Sequence, residues 1–185
     1  MSSARVILTM VMLAAAFVIA GCSGVTDDLL PSGDDKRPVV EAGTIGIQVD
    51  QQSPDFSLFD TLGNSRGLYA ELAVPRDAVV LYFNMWCPIC DAHASHMRTY
   101  VMPNFPGVSF FLVDYVTGSI SASRDSQLAN GYADIETLVD AAQEVFDLYQ
   151  ASMGTTIVID STGIIRMKED YKDGVKLTET LQALP

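Results

Sequence analysis

The sequence predicts an α/β protein built as a three-layer sandwich, a central mixed sheet between two layers of helices. Three observations predict it. Val79–Phe83 and Val108–Val113 are continuous apolar runs rich in β-branched and aromatic residues, as strands buried on both faces require. Segments with helical spacing alternate with these strands, which places helices on both sides of a sheet. A hairpin pattern and a final amphipathic helix then close the chain.

The first 21 residues are read as a leader, not as part of the fold. Arg5 supplies a minimal positive start, and the apolar run Val6–Ala20 is shorter than the roughly 20 residues of a membrane span. The run ends in Ile19-Ala20-Gly21-Cys22, which resembles the bacterial lipobox. That resemblance implies cleavage before Cys22 and lipid on its sulfur, leaving residues 22–43 as a tether. Gly24, Pro31, Ser32-Gly33-Asp34-Asp35 and Pro38 give the tether turn and loop chemistry without an apolar face. About 20 extended residues reach on the order of 70 Å, enough to hold a domain clear of a membrane. The expected location is the cell envelope, facing the periplasm. Ser23 after the lipidated cysteine resembles an outer-membrane address.

The formal charge is −12, and −13 once Arg5 leaves with the leader. Such a surface opposes nucleic-acid binding, which needs a basic face. It suits solubility and basic partners.

The folded domain is expected over residues 44–185, as a monomer. Ile45, Ile47 and Val49 alternate as a strand would, and Ser53–Leu58 reads as a second extended piece. Thr61-Leu62-Gly63-Asn64 is a turn, and Leu68–Leu72 a short helix or loop. After the apolar strand Val79–Phe83, a helix starts near Cys87 and runs toward Tyr100, with Pro88 in its first turn, where no intrahelical N–H is needed. Pro103 and Pro106-Gly107 end it. Val108–Val113 is the next strand. Ser121–Asn130 is a helix stopped by Gly131, and Ile135–Val139 a short strand. Gln143–Ala151 is a helix with Val145, Phe146, Leu148 and Tyr149 as its apolar stripe. Thr155–Ile159 and Ile164–Met167 form a hairpin around Asp160–Gly163. Val175–Leu184 closes the chain with Leu177, Leu181 and Leu184 facing inward.

The chemistry is concentrated in Trp86-Cys87-Pro88-Ile89-Cys90. Two thiols at C-x-x-C spacing, between a buried strand and a helix start, can close a small reversible disulfide, and a helix N-terminus favours the thiolate of the first. With Cys22 lipidated, Cys87 and Cys90 are the remaining pair, in a compartment that permits disulfides. A loop this small constrains little of the unfolded chain, so redox exchange explains the pair better than stability does. Cys87 is the candidate nucleophile, shielded on one side by Trp86. Cys90, one helical turn later and more buried, is the candidate resolving thiol.

These residues lie within a wider pattern that resembles the TlpA/ResA-type thioredoxin-like oxidoreductases of the redoxin superfamily. Ser53-Pro54-Asp55-Phe56-Ser57-Leu58 with Gly63 is similar to that family's opening motif. Val79–Cys90 is similar to its strand and W-C-P-x-C. Leu138-Val139-Asp140 with Val145–Tyr149 resembles its strand, aspartate and short helix. Thr155–Asp160 with Gly163 resembles its closing motif. The resemblance implies a thioredoxin-like fold, thiol–disulfide exchange with protein thiols and disulfides, and partners such as apocytochrome c or copper-site proteins. It implies neither an organic cofactor nor a resident metal. Trp86, Pro88, Ile89, Gly154 and Thr155 would shape the site. One position departs: Gly154, after Met153, stands where the family has a cis-proline, so this loop is expected trans or differently shaped. Leu81 stands where thioredoxin has a buried acid.

Two other readings use the same segment. Met85, His93, His96 and Met97 surround the cysteines, and soft sulfur ligands with imidazole suit copper(I). The simpler expectation puts both histidines on the exposed side of the helix and both methionines in the core. A thiol peroxidase would need a proline and a threonine where Val80 and Asn84 stand. Asp114, Asp140 and Asp160, at strand ends, are expected in turns and caps rather than as a metal cluster.

Overall fold

The computed structural model describes residues 39–185; the leader, Cys22 and the tether through residue 38 lie outside the described residues. From Val40 onward the chain forms one unit. Its elements are β1 (Ser57–Asp60), β2 (Ser65–Gly67), α1 (Leu68–Leu72), β3 (Ala78–Asn84), α2 (Pro88–His96), β4 (Val108–Asp114), α3 (Ile120–Ala129), β5 (Glu136–Val139), α4 (Glu144–Leu148), β6 (Thr155–Asp160), β7 (Ile165–Asp170) and α5 (Val175–Gln182). α2 continues through a wider π-type turn, Met97–Val101, and a 3-10 turn, Met102–Asn104. No helix among the described residues is long and apolar enough to cross a membrane.

The strands form one mixed sheet in the order β2-β1-β5-β4-β3-β6-β7. β3, β4 and β5 are parallel, and the remaining pairings are antiparallel. All seven residues of β3 are buried, so this strand can only lie in the interior of the sheet. Strand side chains alternate between faces. Val80 and Tyr82 therefore meet Ala94 and Met97 along α2 and Leu177 and Leu181 of α5. Leu81 and Phe83 point the other way, toward Leu68 of α1 and Val145 near Tyr149 at α4. The helices on both faces follow from this two-sided apolarity.

Both β-hairpins carry the same device. Asp60 and Asp160 each begin a D-x-x-G-x-x-R turn in which the glycine takes a left-handed φ, +85° at Gly63 and +88° at Gly163. Each buried carboxylate accepts backbone N–H groups across its turn and the Nε–H of the arginine six residues on, at 3.3 Å from Arg66 and 2.6 Å from Arg166. Burial alone would push the Asp160 carboxyl up; the hydrogen bonds from Thr162, Ile164 and Arg166 outweigh it and hold the group below the usual aspartate range.

Three elements differ from the sequence reading. Ile45–Val49 is not a strand: it curls on itself, with the Gly43 N–H on the Asp50 carbonyl and Asp50 at φ +69°, leaving only an isolated bridge from Ile45 to Gln52. Ile45 is 76% exposed, and the segment reaches the sheet through Asp50 and Gln51, which exchange backbone hydrogen bonds with Ile165 on the edge strand β7. β2 carries no apolar pattern; the Asp60 turn folds it onto β1. Leu148 is exposed, because a five-residue α4 presents only Val145, Phe146 and the following Tyr149 to the sheet.

Leu81→Ala removes a fully buried side chain and is expected to destabilise the fold by about 2–5 kcal/mol, read from urea unfolding. The folded pKa of Asp160 lies below its unfolded value, so its stabilisation is complete above the ordinary aspartate pKa and fades as pH falls through the folded one. Asp160→Asn is expected to lose roughly 1–3 kcal/mol near neutral pH and to flatten that acid limb. An acid limb identical to that of the unsubstituted protein would contradict this assignment.

Candidate functional site

The site is built where β3 ends and α2 begins. Asn84 and Asp114 sit side by side at the ends of parallel strands β3 and β4. Between β3 and α2 the chain must turn sharply, and Trp86 does so with φ +57°, a conformation that side-chain-bearing residues rarely adopt. Two bonds hold it there. The Trp86 N–H donates to Asn84 Oδ1 at 3.0 Å, and its indole Nε1–H donates to Asp114 Oδ2 at 2.8 Å. The buried Asp114 carboxylate also accepts from Thr117 Oγ1 and Ser123 Oγ, each at 2.6 Å, and so ties the tryptophan to the start of α3.

Cys87 is the N-cap of α2, with extended backbone and Pro88 next in the first turn. Its Sγ accepts the Cys90 N–H at 3.2 Å and lies 2.7 Å from Cys90 Sγ, both thiols being free. Cys87 is half-exposed; Cys90 is buried against the sheet. Burial pushes the Cys87 thiol up, but the Cys90 thiol and the N–H groups of Cys90 and Ile89 outweigh it and bring Cys87 below the ordinary cysteine value. For Cys90 burial comes first and the neighbouring Cys87 adds to it, so its thiol is raised. The arrangement offers an accessible, thiolate-prone sulfur beside a protonated, buried one. Pro88 and Ile89 are exposed beside the pair, and Ile89 is an uncovered apolar side chain.

The loop Met153–Thr155 stands over the same helix. Gly154 is buried at φ +87°, and no cis peptide bond occurs among the described residues. Its N–H donates to the Phe83 carbonyl at 2.9 Å, and its own carbonyl accepts the Tyr171 N–H at 2.8 Å. A Cβ here would stand 3.9 Å from His93 Nδ1, so the left-handed backbone, not lack of room, calls for glycine. The Thr155 hydroxyl is engaged within this loop, by the Ser152 N–H at 2.9 Å and Asp170 Oδ1 at 3.0 Å.

The histidines correct the sequence reading. Neither lies on an open face. His93 Nδ1 is 2.9 Å from the Tyr82 hydroxyl, and His96 Nδ1 is 2.7 Å from the Tyr171 hydroxyl. The buried stripe of α2 is narrow (Cys90, Ala94, Met97), so residues 93 and 96 flank it and find tyrosine partners from the sheet side. Met97 is in the core, whereas Met85 lies in the β3–α2 turn and is 41% exposed. Among the described residues no group of three or more His, Cys, Asp or Glu side chains could hold a metal ion, and the copper(I) reading finds no support. Asp114, Asp140 and Asp160 all serve turns or helix starts. Tyr82, Asn84, Asp114 and Tyr171 are the site residues that sequence reasoning missed. Tyr82 carried a signal, a hydroxyl inside an otherwise apolar strand.

No family model and no curated protein matches the sequence. Solved structures do match. The thioredoxin domain of a thiol–disulfide oxidoreductase from Bacteroides vulgatus superposes with a TM-score of 0.60 at 17% identity, over 74% of this chain and 97% of that one. A secreted Mycobacterium tuberculosis disulfide oxidoreductase homologous to E. coli DsbE gives 0.55 at 19% identity, over 70% and 96%. The peroxidoxin BcpB of Mycobacterium tuberculosis gives 0.58 at 23% identity, over 72% and 96%. The seven-stranded mixed sheet flanked by helices, with these superpositions, gives the chain a thioredoxin-like α/β fold.

Proposed function

We propose that this chain is an exported, lipid-anchored thiol–disulfide oxidoreductase that exchanges disulfides with protein substrates. The observation that carries the reading is the unequal thiol pair at the start of α2, one half-exposed with a lowered pKa and one buried with a raised pKa. Cys87 thiolate attacks a substrate disulfide and forms a mixed disulfide, releasing one substrate thiol. Cys90 then attacks Cys87 Sγ. The bond to the substrate breaks, the second substrate thiol leaves, and Cys87–Cys90 closes. The reverse sequence oxidises a dithiol. One S–S bond replaces another at each step, so the reaction itself calls for no organic cofactor.

Trp86 walls one side of Cys87, Pro88 and Ile89 form the exposed lip, and the Gly154–Thr155 loop, bonded to the Phe83 carbonyl at the end of β3, faces the helix near His93. The solved structures of like fold include proteins named as thiol–disulfide oxidoreductases, which favours the same class. Ile19-Ala20-Gly21-Cys22 supports lipidation at Cys22 and a periplasm-facing position in the envelope, on the outer membrane if Ser23 acts as an address. Protein thiols and disulfides are the partners. Apocytochrome c and copper-site cysteines are the substrate classes that the sequence resemblance suggests, and the acidic charge suits basic ones. The domain acts as a monomer.

Iodoacetamide is expected to label Cys87 in the native protein with a rate that rises at a pH below the ordinary cysteine range, and to spare Cys90 until the chain is unfolded. Equal labelling of both would contradict the unequal pair. Cys90→Ser is expected to stall as a mixed disulfide with a cystine-containing protein substrate, visible by mass after acid quenching, while Cys87→Ser forms none. A trap that persists in Cys87→Ser would assign the attacking role elsewhere.

A further inference from the structure

The resolving step of that exchange needs the buried Cys90 thiol to lose a proton in a place where water has little access. We infer that Tyr82 and His93 form a proton relay that takes this proton as Cys90 attacks the mixed disulfide. The inference rests on the redox reading of Cys87 and Cys90 and names the groups that complete it.

The geometry is local and one-directional. Tyr82 is fully buried on the α2 face of β3, packed in one cluster with Ala94 and Met97 of the helix whose first turn carries Cys90. Its hydroxyl is 2.9 Å from His93 Nδ1, one helical turn beyond Cys90, and the two rings meet edge to face with centroids 6.0 Å apart. Tyr171 fixes the imidazole from the other side at 4.8 Å between centroids. His93 is half-buried, so solvent has partial access to it.

The electrostatics fit a relay rather than a proton store. Burial first, then His96, holds His93 below the usual histidine range, so a neutral ring can accept from Tyr82 through Nδ1 while Nε2 carries the proton. Burial first, then the Cys90 and Cys87 thiols, pushes Tyr82 far above the usual tyrosine range, so it hands a proton on without remaining ionised. The other groups facing the cluster are Tyr171, raised to about 12 by burial and Asp173, with His96 on its hydroxyl. Tyr115, beside Asp114, is raised by burial first and then by the charge of the two thiols. Once Cys87 is in the mixed disulfide its sulfur is no longer a thiolate, and the charge that opposed Cys90 ionisation is gone.

The Cys90 S–H proton passes to the Tyr82 oxygen as the Tyr82 proton passes to His93 Nδ1. The Cys90 sulfur bonds to Cys87 Sγ, and the Cys87–substrate S–S bond breaks. The substrate leaves as a thiolate, which takes up the proton released from His93 Nε2. Protein thiols are oxidised to a disulfide and the substrate disulfide is reduced.

The full-length reduced protein, mixed with dithiobis(nitrobenzoate), releases one coloured thiol when Cys87 attacks and a second when Cys90 resolves. Tyr82→Phe and His93→Ala are each expected to slow the second release by about 10²-fold near neutral pH while leaving the first little changed. In His93→Ala the rise in rate that follows deprotonation of His93 should vanish, and added imidazole should restore the second release. A second release as fast in both variants as in the unsubstituted protein would overturn the relay. So would equal slowing of both releases, or a failure of imidazole to rescue. If the unsubstituted protein never gives the second release, the redox reading itself falls.

Discussion

The first-turn N–H groups of α2 converge on one sulfur atom, and the rest of the site is arranged around that contact. Cys87 caps the helix through its thiol where serine or aspartate would ordinarily use oxygen. The cap favours negative charge on Cys87, and the same short first turn brings Cys90 within 2.7 Å. A helix starting one residue later would point the cap at Pro88, which has no side-chain acceptor, and would separate the sulfurs from the dipole.

The start of α2 is therefore the quantity that the fold must control. It is fixed from below by β3, whose burial on both faces leaves no freedom to slide. From the side it is fixed by Asp114, whose carboxylate binds the Trp86 indole and the hydroxyls of Thr117 and Ser123. The left-handed Trp86 is the local cost of turning from strand to helix in so few residues. From above, the Gly154 backbone bonds to Phe83 and Tyr171, so the loop facing α2 is anchored to the same strand that delivers the cysteines. Strand, tryptophan turn and glycine loop thus locate one sulfur through bonds that converge from three elements.

Much of this was legible in the sequence for physical reasons. Apolar runs as long as Val79–Phe83 and Val108–Val113 have no stable place except the middle of a sheet. Pro88 directly after Cys87 marks a helix start. Glycines at 63, 131 and 163 mark backbone turns that the structure also shows. Pairings and polar contacts between distant segments were not legible. β2 exists only because the Asp60 turn folds a polar segment onto β1, and Ile45–Val49 fails as a strand because it curls on itself, the Gly43 N–H bonding to the Asp50 carbonyl. The Trp86–Asp114 bond joins residues 28 apart, and His96–Tyr171 joins residues 75 apart. The histidines were misplaced for the same reason: helical spacing shows that they flank the buried stripe, but not that tyrosines wait on the facing strand and loop.

The central claim is that Cys87 and Cys90 interconvert reversibly between dithiol and disulfide. Trp86 is the only tryptophan in the chain and directly precedes Cys87, so its fluorescence reports on the pair. Equilibrating the purified protein in thiol–disulfide buffers of graded potential should give one reversible two-electron transition. Its expected midpoint lies between the roughly −270 mV of a thioredoxin-like reductant and the roughly −120 mV of a strong oxidant. A fluorescence signal that does not change across that span, with both thiols still free by mass at its oxidising end, would contradict the account.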